Sequence, residues 1–186
     1  MSDSIIHLST TAAKIVLLFW FSEESRPKWF ASDPSFDAVV SSRYGALLQA
    51  AKRGELSSWR ETIRGRLAEI IVLDQFSRNI HRGRATAFEN DAQALVLAQE
   101  AARGTTRFEL FADERAFLYM PFMHSESPVI QEEGLKLFFE AGLESNLAYA
   151  QEHCRVIRRF GRFPHRNAIL GRVSTVEEEL YLAKDL

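Results

Sequence analysis

Polar side chains that could do chemistry are concentrated in three short stretches of otherwise apolar sequence. In the first stretch, Asp74 follows Leu67 by seven residues and Ile70 by four, which places it on the core-facing side of a helix. A buried carboxylate needs a partner, and Arg78 lies one helical turn later. The spacing therefore predicts either an Asp74–Arg78 ion pair at a helix end or a carboxylate that serves a functional site.

His124 and Glu126 follow a proline that interrupts the most apolar stretch of the chain, AFLYMPFM at residues 116–123. Because this stretch is apolar on all sides, we expect a central helix surrounded by neighbours. Pro121 lacks an amide hydrogen and clashes with the preceding turn, so the helix should kink or end near Met120. His124 and Glu126 then lie in an irregular segment, where they either satisfy free backbone groups or form an acid–base pair.

The third stretch, FGRFPHRNAILGR at residues 160–172, places several cations between apolar anchors. Pro164 favours an extended residue before it, so that His165, Arg166 and Asn167 could open a short helix. Backbone amides at the start of such a helix suit phosphate or carboxylate, as do arginine side chains. In the alternative interpretation, the arginines pair with the buried carboxylates of the first two stretches and fix the carboxy-terminal segment in place.

The elements that must position these side chains are predicted to be helices. Asp33 followed by Pro34 predicts a helix start, because an aspartate caps the free amides and proline loses nothing at the first helical position. Gly161 predicts the end of a later helix. Ser174 and Glu177 have the spacing of a capping box for a last short helix. No window of useful length alternates with a period of two, so we expect no sheet.

These segments together predict an all-α fold, with more than roughly seven in ten residues helical against the usual third. The connections between successive helices are short, and no linker divides the chain. We therefore expect stacked antiparallel helix pairs, a tetratricopeptide-like αα-solenoid that forms one compact domain over residues 1–186.

Composition excludes several classes of function. The formal net charge is −2, so no basic field favours nucleic acid. The one cysteine, Cys154, excludes an internal disulfide and favours the cytoplasm. The apolar run Ile15–Phe21 is too short to span a membrane. Sequence motifs for zinc, nucleotide or dinucleotide cofactors are absent, so we expect no metal and no cofactor.

Five segments of the chain carry a family resemblance: LLFWF, WFASDPSFDAVVSSRYGALLQAAKRGEL, LDQFSRNIHRGRATAFENDAQAL, RAFLYMPFMHSE and FGRFPHRNAILGR. In this order they resemble the bacterial domain-of-unknown-function 924 (DUF924) family, from about residue 17 to the carboxy terminus. The resemblance implies an all-α, tetratricopeptide-like fold and assigns no reaction. Ser77 stands where the family pattern has proline. The polar positions of the family motifs fall here on Asp74, Gln75, Arg78, Asn79, His124, Ser125, Glu126, His165, Arg166, Asn167 and Arg172.

Three functions fit these residues. The first is a binding module that takes a peptide, a protein or a small anionic molecule on a concave surface. The second is an enzyme in which His124 or His165 is the acid or base, with Glu126 as a further catalytic candidate and arginines holding an anion. The third is a purely structural polar network. The candidate ligand-binding residues are Asp74, Arg78, Asn79, His124, Glu126, His165, Arg166, Asn167 and Arg172.

Overall fold

The computed structural model describes residues 2–140 and 142–184, except for the side chains of residues 2–10. Its α-helices are α1 (Ser2–Trp20), α2 (Pro34–Lys52), α3 (Ile63–Ile71), α4 (Ser77–Ile80), α5 (Asp91–Arg103), α6 (Ala112–His124), α7 (Pro128–Phe138), α8 (Glu144–Phe160) and α9 (Val176–Leu182). Short 3-10 turns lie at Arg26–Lys28, Ser57–Glu61, Ala85–Ala87, Thr105–Glu109 and Pro164–Arg166, and a π-helical turn at Val72–Phe76 joins α3 to α4. With these turns included, 73% of the residues are helical, and the described residues contain no strand. The all-α prediction is confirmed.

Local sequence signals set the ends of the long helices. The Asp33 side chain accepts hydrogen bonds from the amides of Ser35 and Phe36 at the start of α2, with Pro34 at the first helical position. Gly161 ends α8 with φ of 69°, a left-handed conformation that glycine adopts without the cost of a Cβ. Both predicted boundaries are confirmed.

The capping box of α9 lies one residue later than expected. Thr175 and Glu178 form it, since the hydroxyl of Thr175 accepts from the Glu178 amide and the Glu178 carboxylate accepts from the Thr175 amide. The predicted pair of Ser174 and Glu177 is therefore wrong by one position. Ser174 instead accepts a hydrogen bond from Asn167, which holds it outside the helix.

α6 is the central helix, in contact with α3, α5, α7 and α8. Its residues from Ala116 to Met123 are all buried. Trp20 of α1 packs edge-on against Phe117, with ring centroids 5.4 Å apart, and joins the first helix to this centre. The expectation of a central helix surrounded by neighbours is confirmed.

Pro121 does not end α6, so of the two outcomes predicted for this proline, a kink or an end near Met120, the second is wrong. The helix continues through the proline to His124. Proline removes one backbone hydrogen bond, but burial of the apolar side chains on both sides of it favours the continuous helix. His124 is consequently the last helical residue instead of part of an irregular segment, and Ser125, Glu126 and Ser127 form the connection to α7.

The helices that position the polar residues are neighbours in space. α7 packs against α6 and α8, and α5 packs against α6 and against the π-helical turn. The ends of α6, α4 and α5 are thereby brought close to the short turn Pro164–Arg166. The tetratricopeptide-like arrangement of the pairs and the single domain over residues 1–186 remain predictions.

Candidate functional site

Asp74 lies in the π-helical turn, where 1% of its surface is exposed. A π turn places one more residue in a helical turn than an α-helix does, and such turns recur at functional sites. The insertion follows a helix that is buried almost throughout, from Leu67 to Ile71. The sequence prediction that this carboxylate points to the core side is confirmed.

Two basic side chains hold the Asp74 carboxylate. His124 Nδ1 lies 2.8 Å from Asp74 Oδ1, and Arg78 Nη1 lies 2.9 Å from the same oxygen. Gln75 Nε2 donates to the other oxygen, Oδ2, at 2.6 Å. Burial raises the pKa of Asp74, but the charge of Arg78 and then the contact with His124 outweigh it, so the pKa lies well below its usual range. The carboxylate is therefore ionised, and the predicted Asp74–Arg78 ion pair is present.

The contact with Asp74 decides which nitrogen of His124 carries the hydrogen. An ionised carboxylate only accepts hydrogen bonds, so Nδ1 donates and Nε2 has a free lone pair when the ring is neutral. Burial and the positive charge of Arg78 lower the pKa of His124, although Asp74 acts in the opposite direction. At neutral pH His124 is therefore an uncharged imidazole that offers an acceptor at Nε2.

Asp91 connects this group to the carboxy-terminal segment. Arg78 donates to both carboxylate oxygens of Asp91, at 2.9 and 3.1 Å, while Arg166 Nη1 contacts Oδ2 at 3.4 Å. Asp91 was absent from the residues selected by sequence. An acidic residue in the first turn of a helix is ordinarily explained by the helix dipole, so its sequence position gave no signal of a second role.

Arg166 is buried with little hydrogen bonding. Only 6% of its surface is exposed, and its guanidinium lies between the rings of Phe88 and Phe163, 4.6 Å from each centroid. Within the described residues, Nε and Nη2 make no hydrogen bond, and the one bond of Nη1 is the long contact to Asp91. Burial, and after it the charge of Arg78, lowers the pKa of Arg166. The rings of Phe88 and Phe163 thus fix the plane of the Arg166 guanidinium, most of whose N–H donors make no hydrogen bond within the described residues.

Arg166 and His124 line one cleft of about 430 Å³, which we call the His124 cleft. Its polar wall contains Asp91, Ser125 and Glu126, and its apolar wall contains Phe88, Leu95, Pro121 and Leu170. The size is typical of a site for a small molecule, and convergent polar groups on an apolar wall are the usual composition of such sites. The second and third stretches therefore meet at one surface, and the first lies behind it, where Asp74 contacts His124 and Arg78 contacts Asp91.

Glu126 forms a second cluster beside the first. Arg172 donates to both of its carboxylate oxygens, at 2.6 and 3.0 Å, and the Phe163 amide donates to Oε1 at 2.7 Å. Arg172 also donates to Asn167 Oδ1 at 3.0 Å. Burial raises the pKa of Glu126, but the bond from Arg172 and then that from Phe163 reverse the shift and lower it. The alternative interpretation of the sequence, in which arginines of residues 160–172 pair with carboxylates and fix the carboxy-terminal segment, therefore applies to Arg172 and Glu126.

Three of the nine candidates, His124, Glu126 and Arg166, line the cleft, and Asn79 and His165 lie in other surroundings. Asn79 donates to Asp37 Oδ1 at 2.7 Å and thus joins α4 to α2. His165 is exposed, and its ring packs on Phe163 with centroids 5.5 Å apart, outside the lining of the cleft. The predicted short helix at this segment is a single 3-10 turn, Pro164–Arg166, too short to concentrate backbone amides on an anion.

The charges around the His124 cleft balance. In and beside the cleft, Arg78, Arg166 and Arg172 pair with Asp74, Asp91 and Glu126, and the lining residue Glu89 pairs with Lys52. Since His124 is neutral, the group carries no net charge. Within the described part of the chain, the cleft included, no three His, Cys, Asp or Glu side chains are arranged to hold a metal ion.

A larger groove of about 960 Å³ shares no lining residue with the His124 cleft. It runs between α1, the Ser57–Glu61 turn and α3, and its walls are mainly apolar. Leu18 on its edge is 63% exposed. No helix in the described residues is both long and apolar enough to cross a membrane.

Comparisons with known proteins place the chain in a family. The family model described as bacterial protein of unknown function (DUF924) matches residues 16–185. A solved structure, the protein of unknown function ATU0120 from Agrobacterium tumefaciens, is similar with a TM-score of 0.88 and 38% sequence identity, covering 94% of this chain and 98% of that chain. No curated protein matches. The chain therefore belongs to the DUF924 family of bacterial proteins of unknown function.

Proposed function

We propose that this protein binds a small anionic molecule in the His124 cleft. The observation that supports this most is Arg166, a buried guanidinium held between two aromatic rings. Its Nε is buried without a partner, and its Nη2 makes no hydrogen bond within the described residues. Burial of a charged group with unused donors is costly, and a bound ligand is one cause for which natural structures keep such a group. A bound carboxylate or phosphate oxygen would supply the missing acceptor.

The volume of the cleft favours a small molecule over a protein segment. About 430 Å³ is enough for a metabolite-sized ligand and too little for a folded partner. The apolar side chains on one wall would contact the uncharged part of the ligand. We also propose a cytoplasmic location, because the single cysteine, Cys154, is free and buried.

A thermal-shift screen tests the proposal with an arginine variant and its control. A panel of small carboxylates and phosphates is added to the wild type, to Arg166→Met and to Arg158→Met. Arg158 is the matched control because it is an exposed arginine whose partner, Glu132, is exposed as well. A ligand that binds only the native state raises the melting temperature, so an anion should stabilise the wild type and the control but not Arg166→Met. Equal shifts in all three proteins, or no shift with any anion, would overturn the proposal.

Acid–base catalysis on the bound molecule is a second candidate function. It is supported by the hydrogen bond between Asp74 and His124, since a buried carboxylate on Nδ1 leaves Nε2 able to accept a proton. A ligand found in the screen is incubated with the wild type and with His124→Phe, and its consumption is followed by NMR. Conversion by the wild type alone supports catalysis. Equal persistence of the ligand in both samples limits the function to binding.

A further inference from the structure

The two free polar groups of the His124 cleft differ in what they offer a ligand. Among the described residues, Arg166 Nη2 makes no hydrogen bond and can only donate. His124 Nε2 also makes no hydrogen bond to these residues, and it can only accept one as long as the imidazole hydrogen stays on Nδ1, which donates to Asp74. A ligand that satisfies both groups must therefore present an acceptor to Arg166 and a hydrogen-bond donor to His124.

The balance of charge limits the anionic group to one negative charge. Each carboxylate that lines the cleft already has a cation: Glu89 pairs with Lys52, Asp91 with Arg78 and Arg166, and Glu126 with Arg172. A dianion placed on Arg166 would add a second negative charge beside the Asp91 carboxylate, and like charges at short range are repulsive, so a monoanion meets less repulsion. A carboxylate brings a single charge and two acceptor oxygens, which suit a guanidinium.

The donor that reaches His124 should be uncharged. Arg78 shares the Asp74 oxygen that His124 contacts, and its positive charge opposes a second positive charge on the imidazole. The same repulsion acts on an ammonium group placed against Nε2. A hydroxyl group donates a hydrogen bond without adding charge.

We infer that the His124 cleft takes a small hydroxy carboxylate, with the carboxylate on Arg166 and the hydroxyl donating to His124 Nε2. This inference rests on the proposed function and specifies its ligand class. Asp74 is a positioning residue in this arrangement, because it fixes the tautomer of His124. The apolar wall of Leu95, Pro121 and Leu170 would contact the carbon chain.

Matched ligands test the inference on the wild-type protein. Dissociation constants are measured by NMR titration for propionate, for each enantiomer of 2-hydroxypropionate, for 3-hydroxypropionate and for 2-aminopropionate. A hydrogen bond to a neutral acceptor contributes about 0.5–1.5 kcal/mol, so at least one hydroxy acid should bind roughly twofold to tenfold more tightly than propionate. The amino acid should bind no more tightly than propionate.

Variants then assign the preference to His124. His124→Phe keeps an aromatic ring and removes the acceptor, so the hydroxy acid and propionate should bind it with equal affinity. Asp74→Leu removes the acceptor of Nδ1, so the imidazole hydrogen can move to Nε2, which should weaken the preference for the hydroxy acid. Neither variant should show the wild-type ratio of affinities for the hydroxy acid and propionate, since both changes affect the acceptor at His124 Nε2.

The possible failures are distinct. If propionate and the hydroxy acids bind the wild type equally, the inference is wrong while the proposed function stands. A preference that survives in His124→Phe also overturns the inference, because the hydroxyl then binds elsewhere. If none of these ligands binds and no other anion stabilises the protein, the proposed function itself fails.

Discussion

Asp74→Asn changes one oxygen and should destabilise the native state substantially. The wild-type carboxylate is 1% exposed and contacts Arg78, His124 and Gln75 at once. Asparagine keeps one oxygen acceptor but has no charge. Arg78 therefore loses one of its two ionic partners, and His124 Nδ1 donates to a neutral acceptor instead of a charged one. Removal of one member of a buried ion pair ordinarily costs about 3–5 kcal/mol, because the other charge is left uncompensated.

The expected cost in this protein is somewhat below that range. Arg78 keeps both of its hydrogen bonds to Asp91, so its charge is not left alone. We therefore expect Asp74→Asn to lower the free energy of unfolding by about 2–3 kcal/mol. For a chain of this size, each kcal/mol lowers the melting temperature by about 2–4 °C.

Urea unfolding followed by circular dichroism at neutral pH measures this loss. The control is Glu132→Gln, which breaks an exposed pair with Arg158 and should cost less than about 1 kcal/mol. The native pKa of Asp74 lies below the unfolded value of about 3.9, so its contribution is present above that pH and is lost as the pH falls below it. A loss in Asp74→Asn no larger than in the control would refute the assignment of Asp74 as a buried ion-paired carboxylate.

Three further measurements test other parts of the structure. The pKa of His124 is lowered in the native state, so the contribution of this histidine to stability is complete above pH 6.5 and is lost as the pH falls. The free energy of unfolding of His124→Phe, measured in urea, should therefore fall less between pH 7.5 and 5.5 than that of the wild type. Gly65→Ala should lower the free energy of unfolding by about 1–3 kcal/mol, since the added Cβ would lie 1.9 Å from a backbone oxygen of the preceding turn. Gly45→Ala is the control: the added Cβ meets no atom within 4 Å, so the free energy of unfolding should rise by about 0.5–1 kcal/mol. Glu126→Gln should speed amide hydrogen exchange in the carboxy-terminal segment and leave exchange in α2 unchanged, because the Glu126 carboxylate bonds Phe163 and Arg172, which belong to that segment.

Most of the fold could be predicted because helix signals are local. The Asp33 cap, the Gly161 stop and the all-round apolar pattern of α6 depend on neighbouring residues, and each is found as expected. The course of α6 beyond Pro121 could not be predicted in the same way. It depends on burial by α3, α5, α7 and α8, which outweighs the local preference of proline.

The candidate site was predictable only where its contacts lie close in sequence. Asp74 and Arg78 are one turn apart, and their ion pair follows from helical spacing. Arg166 and Asp91 are 75 residues apart, and nothing in either local sequence indicates their contact. Asn79 lies in the same motif as Arg78 but on another side of the helix, where it meets Asp37. Direction around a helix therefore separates residues that a motif groups together.

The free energy of unfolding of Arg166→Met, without ligand, tests most directly whether the His124 cleft exists for binding. Methionine retains the apolar stem between Phe88 and Phe163 and removes the buried charge, while Asp91 keeps its two bonds from Arg78. Residues kept for function are often unfavourable for stability, so the variant should be as stable as the wild type or more stable. A loss of more than about 2 kcal/mol, the size expected for a broken buried network, would contradict the proposed function and show that Arg166 serves the structure of the protein.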